Sequence, residues 1–382
     1  MSTFHRTLLL VGLTLALGVL SRPRVAAAYP QLVSVDNPRC TSCHLSPAGG
    51  NLLNENGLAV AEAQSQFGTD PTFFYDKLPT PDWLTLGGAV RAAGGFVSTP
   101  ENVLAAFPMQ TEVFAAARWN HLSLHVTAGG RPPSEAEDPA PPVWSREHYV
   151  MWSQEAGGQT GSFARVGRFM PVFGLRLAEH PMYTRRWGGV PLYGETYGLH
   201  VAHVAERWEA HVTGFIEDPV ITPVELTRGG AAYAEVRLTD TLTLGAEGMY
   251  QRTDDDQKIR GGAIAKVHVP AARLLVQGEV QFVNQLIDET PGNPDGGAPP
   301  QIVASVVGSL GLTDYLLLDL GLGHFDENVR IRELDRDAVD VNLHYFLTSH
   351  VELVWNARYE MIGLSKGGPS SGYSLLQLHY RL

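Results

Sequence analysis

Two cysteines are all that 382 residues contain, and they stand three apart at positions 40 and 43. No disulfide framework can be built from such a pair, and any thiol chemistry is confined to one place. After residue 30 no apolar run reaches eighteen residues, which excludes later membrane-spanning helices. Charge is scarce, at 18% of residues, and basic groups are the minority: 28 Lys and Arg against 40 Asp and Glu, a formal net charge of −12. A nucleic-acid partner is therefore not expected. What is abundant is glycine, at 40 residues, alongside 9% aromatics and 44% hydrophobic residues. That mixture argues against disorder and against coiled coil.

The first segment is an address. Arg6 precedes a predominantly apolar run, Leu8 to Leu20, and Ala26-Ala27-Ala28 offers a small-residue cleavage site before Tyr29. Residues 1–28 read as a signal peptide, too short in its apolar part to serve comfortably as a membrane anchor. Its removal takes out Arg6, Arg22 and Arg24 and no acid, so −12 becomes −15. The chain is expected to leave the cytoplasm.

Cys40-Thr41-Ser42-Cys43-His44 then reads C-x-x-C-H, the attachment signal for c-type haem. Two thiols at this spacing can each form a thioether to one vinyl group of a porphyrin, and the next residue offers an imidazole to the iron. Cys40, Cys43 and His44 are thus the expected cofactor-binding residues for one covalent haem c, with His44 the proximal ligand. A zinc site would need two further N or S ligands, and no other Cys exists. A redox C-x-x-C belongs beside a βαβ pattern, which is absent. From Leu45 to Pro108 there is neither Met nor His, and Lys77 and Asn51 are poor substitutes as a second axial ligand. Residues 29–81, about fifty, are near the lower limit for an independent core. The segment is expected to be short, helical or irregular, with a helix from about 52 to 65, and to pack against the rest of the chain. Pro71, Pro79 and Pro81 punctuate its exit.

From residue 82 onward the pattern changes to period two. Leu242, Leu244, Ala246, Gly248 and Tyr250 alternate with Thr241, Thr243, Gly245, Glu247 and Met249; Val351, Leu353, Trp355, Ala357 and Tyr359 alternate with polar partners such as Glu352, Asn356 and Arg358. Sixteen such runs of about ten residues fit between 83 and 382, the length of a tilted membrane-spanning strand. Short turns near Asn120, Ala205, Asp240, Pro270, Thr313 and Ser349 alternate with longer polar connections such as 130–145, 171–195, 285–299 and 326–336. The expected fold is all-β: an antiparallel transmembrane barrel of about sixteen strands over 82–382, with a long loop after the first strand. A soluble sandwich or solenoid is the competing architecture. With short turns toward the periplasm, both barrel ends lie there, and the segment before the first strand sits at the periplasmic mouth or inside the lumen.

The run Cys40-Thr41-Ser42-Cys43-His44-Leu45-Ser46-Pro47-Ala48-Gly49-Gly50, followed by sixteen strands, resembles the monohaem cytochrome–porin fusions of the outer membrane. Separately, Gly167-Arg168-Phe169-Met170-Pro171-Val172-Phe173-Gly174-Leu175-Arg176 resembles the G-R-F-x-P-x-F-G motif of phosphate-selective porins. Both resemblances imply an outer-membrane barrel of a Gram-negative-type bacterium. The first implies an electron carrier rather than a conventional enzyme. It would pass electrons between an extracellular redox partner or metal ion, Fe2+ oxidation included, and a periplasmic electron carrier. The alternative is a solute-conducting, anion-preferring porin with a structural haem plug.

Twelve histidines remain beyond His5 and His44. His180, in the long connection 171–195 beside Arg176, Arg185 and Arg186, is the first candidate for a distal iron ligand. His125 is the alternative, with His121 and Met170 behind it; His121 and His125 share one strand face. The arginines can serve haem propionates or anions. Acidic groups at Glu135, Glu137, Asp138, Asp254-Asp255-Asp256, Asp288-Glu289 and Asp326-Glu327 are solvated loop charges or a cation-attracting face.

Overall fold

The structure is a computed structural model. It describes residues 38–98, 102–130, 143–177, 181–192, 194–216, 228–253, 256–288, 299–331, 335–363 and 368–382. The expected signal peptide and His180 lie outside the described residues, as do Glu135, Glu137, Asp138, Asp254, Asp255 and Glu289.

The chain enters through two short helices, α1 (Cys40–Cys43) and α2 (Glu55–Ala63). Helix α2 begins three residues later than the sequence pattern suggests. The reason is its cap: Asn54 is extended, and its side-chain oxygen accepts from the Gly57 N–H at 2.9 Å.

Sixteen strands follow: β1 (Leu84–Ser98), β2 (Asn102–Trp119), β3 (Leu122–Gly130), β4 (Val143–Ser153), β5 (Gly161–Phe169), β6 (Thr196–Val204), β7 (Trp208–Ile216) and β8 (Arg228–Arg237), then β9 (Leu242–Arg252), β10 (Asp256–Val269), β11 (Leu274–Asp288), β12 (Gln301–Gly311), β13 (Leu316–Asp326), β14 (Arg336–Phe346), β15 (Val351–Ile362) and β16 (Ser370–Arg381). Each pairs antiparallel with its sequence neighbours, and β1 pairs with β16, so the sheet closes on itself. A third helix of one turn, α3 (Tyr183–Arg186), lies between β5 and β6.

Two sequence expectations are corrected here. Strand β2 starts at Asn102, so only residues 99–101 separate it from β1, where a long loop was expected. The stretch 102–109 continues the pairing as far as Val97↔Val103 and Ser98↔Asn102, across a register shift beside Pro108. His121 is not on a strand face: it sits exposed in the β2–β3 turn, its Nδ1 3.0 Å from the Ser153 carbonyl.

The alternation of side chains makes this protein inside-out. Outward positions such as Val166, Val201, Val212, Phe282, Leu320, Leu322 and Leu376 are exposed hydrophobics. Inward positions such as His200, Gln277, Glu279, Asp319, Glu352 and Arg358 are buried and polar. An apolar outer surface is stable only against lipid, where closure leaves no edge strand with unpaired backbone groups. Trp119, Trp152 and Trp208 stand exposed beside the short turns, as an aromatic girdle at one membrane face does.

The outward face carries a prediction. Replacing Leu320 by Arg, at mid-strand on β13, is expected to cost about 2–4 kcal/mol in a denaturant titration of the barrel refolded into lipid. A substitution tolerated within a few tenths of a kcal/mol would mean that this face does not meet lipid.

Candidate functional site

The C-x-x-C-H turn is held by a small knot of hydrogen bonds. Helix α1 closes through the His44 N–H donating to the Cys40 carbonyl at 2.8 Å. Residues three apart on one turn share a face, so the two thiols lie on one side of the chain. The Asn54 side-chain amide donates to the Thr41 carbonyl at 2.9 Å, and that of Asn56 to the Ser42 carbonyl at 2.8 Å. His44 and Leu53 form an antiparallel bridge, so residues 45–52 make a tight loop with Gly49 and Gly50 at positive φ. Gly57 is where α2 meets this turn: a Cβ there would sit 2.2 Å from the Cys43 carbonyl oxygen. Burial pushes both thiols upward, that of Cys43 to about 11, so neither is a thiolate at neutral pH.

The segment spans the barrel's mouth. At one end Arg39 donates to the Ala205 carbonyl in the β6–β7 turn at 2.7 Å. At the other, Gln66 and Phe67 N–H groups donate to Phe346 and Leu347 carbonyls, and Thr69 bonds Ser349, all at the β14–β15 turn. These turns are eight strands apart in a ring of sixteen, on opposite sides of the rim.

From the other end the connection between β5 and β6 folds inward. Val172, Leu175, Leu177 and Met182 pack on Tyr233, Ile264 and Val307 of the inner wall, and Tyr183 packs with Val283, Val303 and Phe325. The G-R-F-x-P-x-F-G residues make this turn possible. Gly167 has φ +141, and a Cβ would lie 2.3 Å from the His148 carbonyl, so the strand approaches β4 too closely for any side chain. Arg168 ties its guanidinium to the Ser145, Arg146 and Glu195 carbonyls. Gly174 turns at φ +70 beside Glu279, whose carboxylate accepts the Leu175 N–H at 2.9 Å. The motif is therefore the hinge that directs the loop into the lumen.

Loop and segment meet. Ala48 packs against the Val172–Leu177 cluster, and Arg176 reaches the Pro47 carbonyl at 3.5 Å while pairing with Glu209 at 3.1 Å. Between them and the wall lies a cavity of about 830 Å³, bordered by Cys40, Cys43 and His44 together. That is within the roughly 300–1,000 Å³ typical of ligand sites. Its wall is apolar at Leu52, Leu58, Phe114, Val172 and Phe173, and charged with both signs: Arg91, Arg118, Arg146, Arg176 and Arg381 stand in it alongside Glu112, Glu147 and Glu195.

The other expected residues fare differently. Met170 and Arg185 border the cavity; Arg186 instead lies over the Trp187 ring at 4.8 Å. His125 points inward but is not part of the cavity wall: its Nε2 is 2.9 Å from Ser123 Oγ, and its ring stacks on Tyr149 at 4.7 Å. His350 and His379 border the cavity as well. His350 was missed as a candidate because it stands at the end of the β14–β15 turn, where polarity carries no strand-face signal. The strand arginines were missed although Arg91, Arg118 and Arg381 occupy the inward parity of their strands, which in a barrel marks a lumen group; Arg146 sits at the bulge of β4, where parity gives no signal. Of the acidic loop groups, Asp256 opens β10 and pairs with Lys258 at 2.7 Å, while Asp326 accepts the Asn328 N–H.

No family model matches the chain, and no curated protein matches its sequence. Solved structures do. Outer-membrane expressed OmpT of Vibrio cholerae aligns with a TM-score of 0.58 at 10% identity, covering 80% of this chain and 100% of that one. An anion-selective porin from Comamonas acidovorans aligns at 0.58 and 12%, covering 78% and 99%. OmpF of Salmonella typhi, solved in complex with daunomycin, aligns at 0.58 and 10%, covering 78% and 97%. At such identities the likeness is one of fold, a porin-like barrel of sixteen strands.

The knot around Cys43 is testable by thiol labelling of the refolded, unmodified chain. Gly57→Ala is expected to speed maleimide labelling of Cys43 severalfold, because the added methyl must push α1 from α2. Gly68→Ala, whose Cβ meets nothing within 4 Å, should leave the rate unchanged. Equal rates in the two variants would show that the α1–α2 contact does not protect the thiol.

Proposed function

We propose that this chain is a porin-class barrel of the outer membrane whose lumen carries one covalent haem c near the periplasmic end. One observation carries the reading: the three residues Cys40, Cys43 and His44 of C-x-x-C-H border a single cavity of about 830 Å³, on a segment fastened to opposite sides of the barrel's mouth. The donor set fits the group. Each protonated thiol can add across one vinyl group, sulfur to one carbon and hydrogen to the other, so attachment needs no oxidant. His44 supplies a neutral nitrogen for the iron. The cavity's arginines suit carboxylates such as propionates, because a guanidinium binds a carboxylate through two parallel hydrogen bonds. The apolar wall at Leu52, Leu58 and Phe114 suits a flat hydrophobic macrocycle. Bound there, haem would supply a one-electron change between Fe(III) and Fe(II).

As a porin, the protein conducts small solutes past the plug. The fold likeness supports this; the similar barrel from Comamonas acidovorans is an anion-selective porin, and the excess of arginine over carboxylate in the cavity wall favours anions here too. A second reading is electron transfer between an extracellular donor or acceptor, Fe2+ among them, and a periplasmic electron carrier. The observation favouring it is that the inward loop and the N-terminal segment meet at Arg176 and Pro47, narrowing the lumen from both ends. In this reading a distal ligand comes from the barrel half of the chain, with Met170 already at the cavity wall and His180 and His125 the sequence candidates.

Haem staining of the denatured band tests the cofactor. Stain is expected in the mature protein and should vanish in Cys40→Ala/Cys43→Ala; a double variant that still stains sinks the assignment. Conductance in a planar bilayer separates the two readings. Stable channels support the porin, whereas a silent bilayer together with reduction of the visible spectrum by Fe2+ supports the conduit.

A further inference from the structure

Beside the cavity stands a cluster of titratable groups centred on His379, a histidine that the haem anchorage does not use. His379 on β16 lies directly opposite Arg91 on β1 and Glu352 on β15 in the two strand registers. Its Nδ1 is 3.2 Å from Glu352 Oε2, 3.3 Å from Arg91 Nη2 and 3.3 Å from Arg381 Nη2. A carboxylate only accepts hydrogen bonds, and a guanidinium only donates them. With a proton on Nδ1 the ring donates to Glu352. With Nδ1 bare it accepts from Arg91 or Arg381. With Nε2 carrying the ring's other proton throughout, the imidazolium and the neutral ring therefore each find a partner at Nδ1 in the same geometry, and little rearrangement separates them.

The neighbouring histidine is different. His344 on β14 has Nδ1 2.8 Å from Glu352 Oε1 and Nε2 3.2 Å from Asp319 Oδ2 of β13. Carboxylates on both sides hold it as a double donor, so it is a fixed cation in the cluster. Glu352 is also paired with Arg381. Arg91 and Glu352 across the strands, Arg381 on its own strand, and His344 and Asp319 one step further are the charged groups facing His379 among the described residues. His379 is the variable member, and it borders the cavity together with Arg91 and Arg381. The ring is buried, so a unit of charge placed in the cavity acts on it through a medium that screens far less than water.

We propose that His379 is a redox-linked proton site, which takes up one proton from solution when a one-electron reductant converts a cavity-bound Fe(III) haem to Fe(II), and releases it on reoxidation. This rests on the haem reading above. The balance is one electron and one proton: the electron lowers the cavity's charge by one, and the proton gained at Nδ1 restores it. The bond to Glu352 replaces the bond from an arginine, and no other bond is made or broken.

The test is a spectroelectrochemical titration of the detergent-solubilised mature protein across about pH 5 to 8, where histidine titrates. The midpoint potential should fall as pH rises, by up to ~59 mV per unit, the one-electron equivalent of a tenfold change. His379→Gln, which keeps a hydrogen-bonding side chain, should flatten that slope. Arg91→Gln removes a donor and a cation that favour the bare nitrogen, so the falling part of the curve should move to higher pH. A merely structural role for either residue would not move the curve in this way. A potential independent of pH in the unaltered protein, or an undiminished slope in His379→Gln, overturns the proton site. Haem staining of the same sample distinguishes the failures: a stained chain with a flat potential overturns the proton site alone, and an unstained chain overturns both proposals.

Discussion

Closure of the sheet, β1 onto β16, is the constraint from which the rest follows. In lipid no water can satisfy a backbone N–H or C=O, so a strand-built membrane protein must have no free edge. The ten residue pairs from Ala89↔Arg381 to Ser98↔Gly372 supply that last seam, and Leu382 finishes it with reciprocal backbone bonds to Gly88. Once closed, the barrel inverts the usual rule of burial. Apolar side chains face outward, and each inward position must find a polar partner, a plug or water. The buried ion pairs along the wall, such as Arg358 with Asp340 and Lys266 with Glu235, are consequences of closure.

A lumen of sixteen strands is wide enough to need filling, and this chain fills it from both ends. The inward loop covers one side of the wall, from Phe215 on β7 round to Ala338 on β14, with a layer of its own apolar residues. The N-terminal segment crosses the mouth from the β6–β7 turn to the β14–β15 turn. A stretch this short cannot bury enough apolar surface to fold by itself. Here it borrows the barrel: its ends are fastened to turns, and Ala48 packs into the loop's apolar cluster. The cavity is the space these two insertions leave against the strands β1 to β5 and β16. Cys40, Cys43, His44 and the arginines share it because the plug and the wall were brought together, not because they are close in sequence.

The inner wall beside the cavity has an electrostatic texture that a plain water-filled channel does not require. Arg146 is clasped between Glu112 and Glu195, and Glu352 between two histidines and an arginine. Buried charge is stable only when paired in this way. Such pairing also makes the wall responsive, because any charge added to the cavity changes the relative stability of alternative hydrogen-bond patterns.

Much of this protein was legible in its residues. Period two over ten-residue runs specifies strands whose two faces meet different solvents, and an even number of them with alternating turns specifies a closed barrel. The spacing of Cys40, Cys43 and His44 is local chemistry, so it needs no fold to be read. Even the inward loop left a trace in Gly167 and Gly174, since only glycine tolerates the close backbone approach and the left-handed turn required there. Strand ends were less legible: Asn102 to Met109 carries little alternation, and only pairing with β1 makes it strand. What the tertiary structure alone decided is which distant residues share a space. His379 and Glu352 are neighbours through the β15–β16 pairing, but Arg91, 288 residues from His379, joins them only because ring closure sets β1 beside β16. Along the chain His125 stands ahead of Met170 as a candidate, yet of the two only Met170 borders the cavity. A strand pattern states which face a side chain takes. Its height and position around the ring depend on register and closure, which are properties of the whole sheet.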